Sequence, residues 1–490
     1  MPRRTKIIAT LGPATDRPGV LEGVIAAGAD VLRLNFSHGE PADQRRRAAA
    51  AREAAARLGR EIALMADLQG PKVRIGDFAA GSAELAPGQE LVLDGTLEGP
   101  SADPARVGVS YRELARDLAP GDRLLLDDGL IALRVERIEG LAVRTTVEQG
   151  GILGSRKGLS RAGGGLRVPA FGEKDRRDVA LAAELEADFL ALSFVRSAAD
   201  VTEGRRLLRA AGGSGAIVAK VERAEAVANL AEIIEASDAV LVARGDLGVE
   251  IGDAELPGLQ KKIVREATRR FRGVIVATQM LQSMVEAPIP TRAEVLDVAN
   301  AVIDGADAVM LSAETATGRH PERAVAAMRR ICEAAERQFE PHEDFHPDHP
   351  PQREDQAIAL AAMYLAHRVP VRAIVALTES GATAQWLSRF RSRVPIYALS
   401  GNAAARRRVA LWSDVHPVAF VPRAGEPAAA AREALAHLLG LGLLAPGERV
   451  LLTLGDRLGE PGGTNTLKLL AVGTGEGPIA PLAGDGFSVV

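Results

Sequence analysis

Eight short apolar runs constrain the fold of this chain more than any other feature of its sequence. Each run ends in polar or charged residues, and most are separated by Ala/Leu-rich segments of helical periodicity. The runs are Lys6–Thr10, Val31–Asn35, Ile62–Asp67, Phe189–Ser193, Ala216–Ala219, Ala239–Ala243, Val274–Thr278 and Ala308–Ser312. Such runs are typical of parallel strands that are buried on both faces. Eight of them alternating with helices predict an α/β fold, a closed (β/α)8 TIM barrel with its active residues at the C-terminal strand ends.

The alternation of strands and helices breaks once, after the third run. From 72 to 169 the sequence changes to short alternating segments with Gly and Pro turns, and 135–143 has the pattern of a hairpin. An all-β insertion at the active end of a barrel is a candidate lid. We therefore predict a barrel domain in two parts, 1–71 and 170–340, with a β lid domain at 72–169.

A second boundary lies at 341–352, a segment rich in Pro, Asp and His. Its side chains suggest metal ligands, but four prolines and the lack of flanking apolar periodicity favour a solvated linker. A further α/β pattern follows, with apolar runs at 373–377, 395–399 and 449–453. We predict a C-terminal α/β domain at 341–474 and a loose tail at 475–490.

The composition excludes several classes of function. The chain has 490 residues and a net charge of −4, so neither a nucleic acid nor a membrane surface is indicated as a partner. Aromatic residues make up only 3%, too few for base-stacking platforms. No apolar run approaches the length of a membrane span, and the first run is too short for a signal peptide. The single cysteine, Cys332, allows no internal disulfide and fits a reducing compartment, which we predict to be the cytoplasm.

Two of the runs deliver a dense set of charges to one region. Lys220–Glu222 follows the fifth run and Arg244–Asp246 follows the sixth. Lys220 and Glu222 are two residues apart, so on a strand they point to the same side. Glu222 and Asp246 are suited to hold one Mg2+ through oxygen atoms, and Lys220 places a compact positive charge beside a phosphoryl group. The alternative is an exposed ion pair at a strand end.

Other strand ends also carry polar side chains. Arg33 and Asn35 share a face, and the arginine fork suits phosphate oxygens. The remaining candidates are His38, Thr278, Ser312 and Glu314. Hydroxyl groups there can position a water or donate a proton, although ordinary strand-end polarity explains each residue taken alone. The chain has neither a P-loop nor a dinucleotide fingerprint, so a bound nucleotide would be held by discrete basic side chains.

In the C-terminal part, residues 378–383 follow an apolar run and open a helical pattern. Hydroxyl groups, a glycine and the amides at a helix start together form an anion site. The alternative is an ordinary N-capped turn.

Five motifs, taken in order along the chain, resemble the pyruvate kinase family. They are Asn35–Gly39, Lys220–Glu222, Ala243–Gly248, Ala277–Leu281 and Pro290–Glu294. The resemblance covers residues 3 to 473 and implies a barrel A domain, a lid B domain and a C domain, usually in a homotetramer. It also implies a phosphotransferase that moves the phosphoryl group of phosphoenolpyruvate to ADP, giving pyruvate and ATP in the last step of glycolysis.

The resemblance implies catalytic roles for the strand-end residues. Phosphoenolpyruvate would bind Mg2+ (or Mn2+) held by Glu222 and Asp246. Its phosphate would face Arg33 and Lys220, and Lys220 would stabilise the transferring phosphoryl group.

The resemblance also places the rest of the substrates. The carboxylate of phosphoenolpyruvate would rest on the amides near Gly245 and Asp246 and on Thr278, and the enolate of pyruvate would be protonated from the Thr278 side. Arg244 is expected to be structural or to lie at a subunit contact. The nucleotide would meet Asn35, His38, Arg74 and Lys157.

One departure from the common family pattern concerns a monovalent cation. Many members hold K+ at positions matching Asn35, Ser37, Asp67 and the carbonyl of residue 68, with threonine at 68 and glutamate at 72. Here these two positions are Leu68 and Lys72, which resembles the K+-independent branch. We predict that the Lys72 ammonium replaces K+ and that the enzyme does not require K+.

The C-terminal loop resembles the phosphate loop of the family's allosteric effector site. The predicted effector residues are Thr378, Ser380, Gly381 and Thr383, and 462–466 resembles the neighbouring loop. Glu379 is acidic where members activated by fructose bisphosphate often have a basic residue. We therefore expect a sugar monophosphate or AMP as the effector.

Two other functions are compatible with parts of the pattern. Another Mg2+-enolate barrel enzyme, such as an aldolase or phosphoenolpyruvate mutase, gives no reason for the lid insertion or for Arg74 and Lys157. A catalytically silent metabolite-binding scaffold predicts damage to Lys220, Glu222 or Asp246, and the sequence has none.

Overall fold

The computed structural model describes residues 2–338, 351–423, 425–457 and 459–473. The chain begins with alternating strands and helices. They are β1 Lys6–Thr10, α1 Val20–Ala27, β2 Val31–Asn35, α2 Pro41–Arg57 and β3 Ala63–Asp67.

After β3 the chain forms a separate all-β unit. Its strands are β4 Ser82–Leu85, β5 Glu90–Asp94, β6 Arg106–Gly108, β7 Arg123–Leu126, β8 Ile131–Glu139, β9 Ala142–Gln149, β10 Gly151–Gly154 and β11 Leu159–Arg161. Six strands form one sheet in the order β11-β7-β8-β9-β5-β6, and β10 pairs with β4. The predicted hairpin is confirmed: β8 and β9 pair antiparallel across Gly140, whose φ of 63° suits a tight turn. Alternate residues of these strands, such as Leu91 and Leu93, form the unit's own buried core.

The chain then returns to alternating helices and strands. These elements are α3 Glu173–Glu184, β12 Phe189–Leu192, α4 Ala198–Ala210, β13 Ala216–Val221, α5 Ala224–Ala228, α6 Leu230–Ala236, β14 Ala239–Ala243, α7 Arg244–Ile251, α8 Leu256–Arg269, β15 Gly273–Ala277, α9 Arg292–Asp304, β16 Ala308–Leu311, α10 Ala313–Ala316 and α11 Pro321–Glu336.

Eight parallel strands close into one barrel in the order β1-β16-β15-β14-β13-β12-β3-β2. The predicted fold class is therefore confirmed. The strands read as continuous apolar runs because both of their faces are buried. Residues such as Leu32 and Val240 pack outward against the helices, and Val218 and Phe189 pack inside the barrel.

The C-terminal unit is a five-stranded α/β sheet. Its elements are α12 Glu354–Arg368, β17 Ala373–Leu377, α13 Ala382–Ser388, β18 Ile396–Ser400, α14 Ala403–Val409, β19 Val415–Ala419, α15 Pro427–Gly440, β20 Arg449–Gly455 and β21 Thr464–Ala471. The strand order is β19-β18-β17-β20-β21. This unit packs on the N-terminal end of the barrel, where Trp412 meets Phe189 edge to face and the buried Arg389 is paired with Asp307.

Some predictions concern segments that the structure does not describe. Most of the predicted linker at 341–352 and the whole predicted tail at 475–490 lie outside the described residues. The domain boundaries stay predictions, and the described lid strands run from Ser82 to Arg161. In the described part of the chain, none of the helices combines the length and apolar character needed to cross a membrane.

Candidate active site

Lys220 lies within β13, and its side chain is almost fully buried at the C-terminal end of the barrel. Its Nζ lies 2.7 Å from Ser193 Oγ, 2.9 Å from Glu222 Oε1 and 3.3 Å from Asp67 Oδ1. The contact with Ser193 is a hydrogen bond, and the two carboxylates are ion-pair partners of the ammonium group. Burial alone would lower the pKa of Lys220, but the carboxylates of Asp67 and Glu222 outweigh it and raise the pKa. The group therefore stays cationic at neutral pH.

Glu222 follows β13 and is 1% exposed. Its Oε2 accepts a hydrogen bond from the backbone N–H of Phe194 at 2.7 Å, while Oε1 faces Lys220. Burial raises the pKa of Glu222, the nearby charge of Asp246 raises it further, and Lys220 opposes both effects. A buried carboxylate with a second carboxylate close by is an arrangement that a cation stabilises.

Asp246 lies in the first turn of α7, directly after β14. Its Oδ1 is 2.7 Å from Lys72 Nζ, and the same Nζ is 3.6 Å from Asp128 in the turn between β7 and β8. Lys72 therefore lies between the barrel and the lid.

The donor set formed by Glu222 and Asp246 fits a magnesium ion. Among the residues that the structure describes, no group of three or more His, Cys, Asp or Glu side chains is arranged as a complete metal cage. Mg2+ is usually bound by one or two carboxylates, with substrate and water filling its octahedron. Two hard oxygen donors at neighbouring strand ends meet that requirement.

Arg33 and Lys220 face each other across Asp67. Arg33 Nε donates to Asp67 Oδ2 at 2.7 Å, and its Nη1 lies 3.1 Å from Thr10 Oγ1. Asp67 is 1% exposed; its burial would raise its pKa, but Lys220 and Arg33 lower it overall. One buried carboxylate thus fixes two cations beside each other, as a site for an anionic group requires.

Thr278 follows β15 in a strained conformation, with φ of 70°, and Gln279 has φ of 54°. Left-handed backbone is unusual for a β-branched residue and often marks a functional site. Gly245 donates its N–H to Thr278 Oγ1 at 2.9 Å, and the hydroxyl donates to the Ala277 carbonyl at 2.6 Å. Arg244 Nη2 donates to the Thr278 carbonyl at 2.6 Å. Arg244 therefore has the structural contacts that were expected of it.

Ser312 and Glu314 lie at the start of α10, just after β16. Glu314 is fully buried and accepts hydrogen bonds from the backbone N–H groups of Ser312 and Leu281 at 2.7 and 3.1 Å. These bonds give Glu314 a structural function, since they join the ends of β15 and β16.

The four predicted nucleotide residues lie on two sides of the cleft between barrel and lid. Asn35 is the last residue of β2 and His38 follows the strand; burial together with the charges of Arg33 and Arg74 lowers the pKa of His38. Arg74 and Lys157 belong to adjacent lid segments, which are joined where the backbone carbonyl of Lys157 accepts the N–H of Ile75 at 3.0 Å. Lys157 pairs with Asp127 at 2.9 Å.

The candidate ligands of the predicted monovalent-cation position contact other groups of the protein. Asn35 Oδ1 accepts the N–H of Ser37 at 3.1 Å, and the Leu68 carbonyl accepts from Ser193 Oγ at 2.8 Å. Asp67 pairs with Arg33 and Lys220. Lys72 contacts Asp246 rather than these groups, so its replacement of K+ stays a prediction.

Sequence reasoning missed two residues that contact this site. They are Ser193, which holds Lys220, and Asp128, which faces Lys72. Ser193 carried a signal, because it ends the fourth apolar run.

The predicted effector loop connects β17 to α13, as its sequence pattern indicated. Gly381 has φ of 86° and donates its N–H to Thr378 Oγ1 at 3.0 Å. Thr383 Oγ1 lies 2.7 Å from Thr464 Oγ1, which joins the loop to 462–466. A cavity of about 70 Å³ lies between the two loops and is lined by Glu379 and Arg457.

Comparisons with known proteins agree with this architecture over most of the chain. Residues 2–325 match the model of the pyruvate kinase barrel domain, and residues 356–470 match that of the pyruvate kinase alpha/beta domain. The chain is 50% identical to pyruvate kinase II of Salmonella typhimurium, over 96% of this chain and 99% of that protein. It is 47% identical to pyruvate kinase of Haemophilus influenzae, over 93% and 96% of the two chains. Pyruvate kinase of Mycobacterium tuberculosis is 41% identical, over 96% and 99%. The chain therefore belongs to the pyruvate kinase family, and it is a phosphotransferase.

Proposed function

We propose that this chain transfers the phosphoryl group of phosphoenolpyruvate to ADP, giving pyruvate and ATP as the last step of glycolysis. The observation that supports it most is the buried ammonium of Lys220, held by Ser193, Glu222 and Asp67 beside Arg33. Catalysis of phosphoryl transfer depends mainly on positioning and charge stabilisation, and this group supplies both.

In this proposal Arg33 and Lys220 bind the phosphate of phosphoenolpyruvate. Lys220 stays protonated, because the neighbouring carboxylates raise its pKa, and it stabilises the charge on the transferring group. Glu222 and Asp246 would hold Mg2+ (or Mn2+). When bound, the ion neutralises charge on the substrate oxygens and polarises them.

Thr278 and the start of α7 bind the other end of the substrate. The amides at Gly245 and Asp246 open a helix of eight residues, which favours a carboxylate there. Thr278 Oγ1 is oriented by the Gly245 N–H. We propose that the enolate is protonated from the Thr278 side of the site.

ADP would bind between the barrel and the lid, with Asn35 and His38 on one side and Arg74 and Lys157 on the other. A neutral His38 fits this position, since burial lowers its pKa and the charges of Arg33 and Arg74 lower it further. Closing the lid would exclude water from the reacting groups.

Lys72 would supply a positive charge in place of K+, from its position between Asp246 and the lid. The Thr378–Thr383 loop would bind a phosphorylated effector, with a sugar monophosphate or AMP expected. Equal effector responses of wild type and Thr378→Ala would remove this loop from the proposal.

We also propose a cytoplasmic homotetramer. Helix α9 supports a subunit contact, because Leu296 and Ile303 are exposed on it and Ile289 is exposed just before it. Exposed apolar side chains grouped in this way are typical of interaction surfaces.

A lactate-dehydrogenase-coupled assay with phosphoenolpyruvate, ADP and Mg2+ tests the function. Wild type is expected to form pyruvate only when ADP is present, and Glu222→Gln to lose most of that activity. Lys262→Met, at an exposed position of α8, is the control and should match wild type. Pyruvate formation without ADP would contradict the proposal.

A further inference from the structure

Each carboxylate of the proposed metal pair is in contact with a lysine. Lys220 Nζ lies 2.9 Å from Glu222, and Lys72 Nζ lies 2.7 Å from Asp246. The surroundings of the two ammonium groups differ. Lys220 keeps further acceptors within the barrel, whereas the second carboxylate near Lys72 is Asp128 of the lid, at 3.6 Å.

The stem of Lys72 lies against the lid. A Cβ added at Gly158 would come within 2.8 Å of Lys72 Cε, so the two are in close contact. The Gly158 carbonyl accepts the N–H of Asp127 at 3.1 Å. Asp127 and Asp128 have φ of 49° and 54°, which defines the turn between β7 and β8. Gly158 and this turn therefore form one surface of the lid around the lysine stem.

Lys72 pairs with Oδ1 of Asp246, so a divalent cation that binds this oxygen competes with the ammonium group. A cation that binds Asp246 takes away the shortest ion pair of Lys72. Because the stem stays against the lid, the carboxylate next in reach of the ammonium is Asp128. Asp127, the other acid of the turn, is already paired with Lys157 at 2.9 Å.

We propose that Lys72 couples divalent-cation binding to the lid by exchanging Asp246 for Asp128. The inference rests on the proposed metal role of Asp246 and goes beyond it. Coupling between two sites is reciprocal, so the lid turn that offers Asp128 to Lys72 strengthens cation binding. Conversely, a bound cation strengthens the Lys72–Asp128 pair.

Calorimetric titration of Mn2+ into the full chain without substrates tests the exchange. Lys72→Met removes the competitor and is expected to tighten Mn2+ binding by about fivefold or more. Asp128→Asn removes the alternative partner of Lys72 and is expected to weaken binding by about two- to fivefold, the range of an exposed ion pair. In a Lys72→Met background, Asp128→Asn is expected to change nothing.

The double-mutant comparison separates exchange from general charge effects. Equal weakening by Asp128→Asn in both backgrounds would overturn the proposal, as would Mn2+ binding to Lys72→Met that is no tighter than to wild type. Asp127→Asn, on the same turn, is the matched control and is expected to act equally in both backgrounds. Glu222→Gln tests the metal site itself: if it leaves Mn2+ affinity unchanged, the proposed metal site is wrong, independently of the exchange. Thermal unfolding of each variant confirms that the folded protein is being titrated.

Discussion

Asp67 and Lys220 lie 3.3 Å apart, and the carboxylate that raises the pKa of this lysine also binds Arg33. We expect Asp67→Asn to lower kcat by about 10- to 100-fold, because both cations lose their fixed positions. The pH dependence of kcat is a more specific test than the size of the loss. Lys220 is active when protonated, and activity is lost as pH rises through its pKa. Removing the Asp67 charge lowers that pKa, so the alkaline limb of the kcat profile is expected at lower pH than in wild type. An unshifted limb would contradict this role.

Arg244 is expected to be a positioning residue for Thr278. Its guanidinium holds the carbonyl of a residue in strained left-handed backbone, and Arg244→Met would let that backbone relax. We expect kcat to fall by about 10- to 100-fold. Exchange of the pyruvate C3 protons in deuterated water should fall in parallel, because Thr278 is on the protonation side. Arg244→Lys should not rescue, since an ammonium lacks the planar fork. Normal proton exchange in Arg244→Met would show that Thr278 does not depend on this contact.

Glu250 at the end of α7 provides a pH-dependent stability test. Burial raises its pKa from 4.5 to about 7, with Arg223 opposing the shift. Between these values the folded protein binds the proton and the unfolded chain does not, so stability falls as pH rises from about 4.5 to about 7. Glu250→Gln removes this loss, which by its size corresponds to about 3 kcal/mol above pH 7.

The unfolding temperatures of Glu250→Gln and wild type should therefore differ more at pH 8 than at pH 5, with the variant higher at pH 8. Glu53→Gln, at an exposed site on α2, is the control and should follow wild type at both pH values. A variant that is less stable than wild type at pH 8 would rule out this reading of Glu250.

Lys72 is predicted to make the enzyme independent of K+. Turnover should be the same in K+, Na+ and tetramethylammonium buffers. Lys72→Glu replaces the positive charge with a negative one and should create a K+ requirement. A strict K+ requirement in wild type would contradict the prediction.

The barrel was predictable because each of its strands is defined by a local pattern in the sequence. Each strand is a short apolar run, and the polar residues at its end mark the active face, as Lys220 and Arg33 illustrate. Strand ends shifted slightly: β3 begins at Ala63 rather than Ile62, and Thr278 and Ser312 lie just beyond β15 and β16. The left-handed backbone of Thr278 explains why β15 ends before this residue, since such a conformation cannot continue a strand.

The contacts across the cleft were not predictable from sequence patterns. Lys72 and Asp246 are 174 residues apart, and their pairing depends on how the lid folds back over the barrel. In the sequence, Asp128 has the features of an ordinary turn residue. Only the structure, in which Gly158 lies against Lys72, shows that Asp128 faces this lysine. The sequence pattern of 72–169 predicted a lid. No repeating pattern in the sequence predicts where the turn between β7 and β8 approaches the barrel.

The most direct test of the central claim separates phosphoryl transfer from proton transfer in Lys220→Met. Lys220 acts on the phosphoryl group in the proposed mechanism, and the enolate is protonated from the Thr278 side. The coupled assay should show kcat reduced by about 1,000-fold or more. In the same preparation, exchange of pyruvate C3 protons in deuterated water, with Mg2+ present, should persist at a rate within about tenfold of wild type. Phosphoryl transfer that persists in Lys220→Met would contradict the proposed role of this lysine. An equal loss of both reactions would contradict it as well.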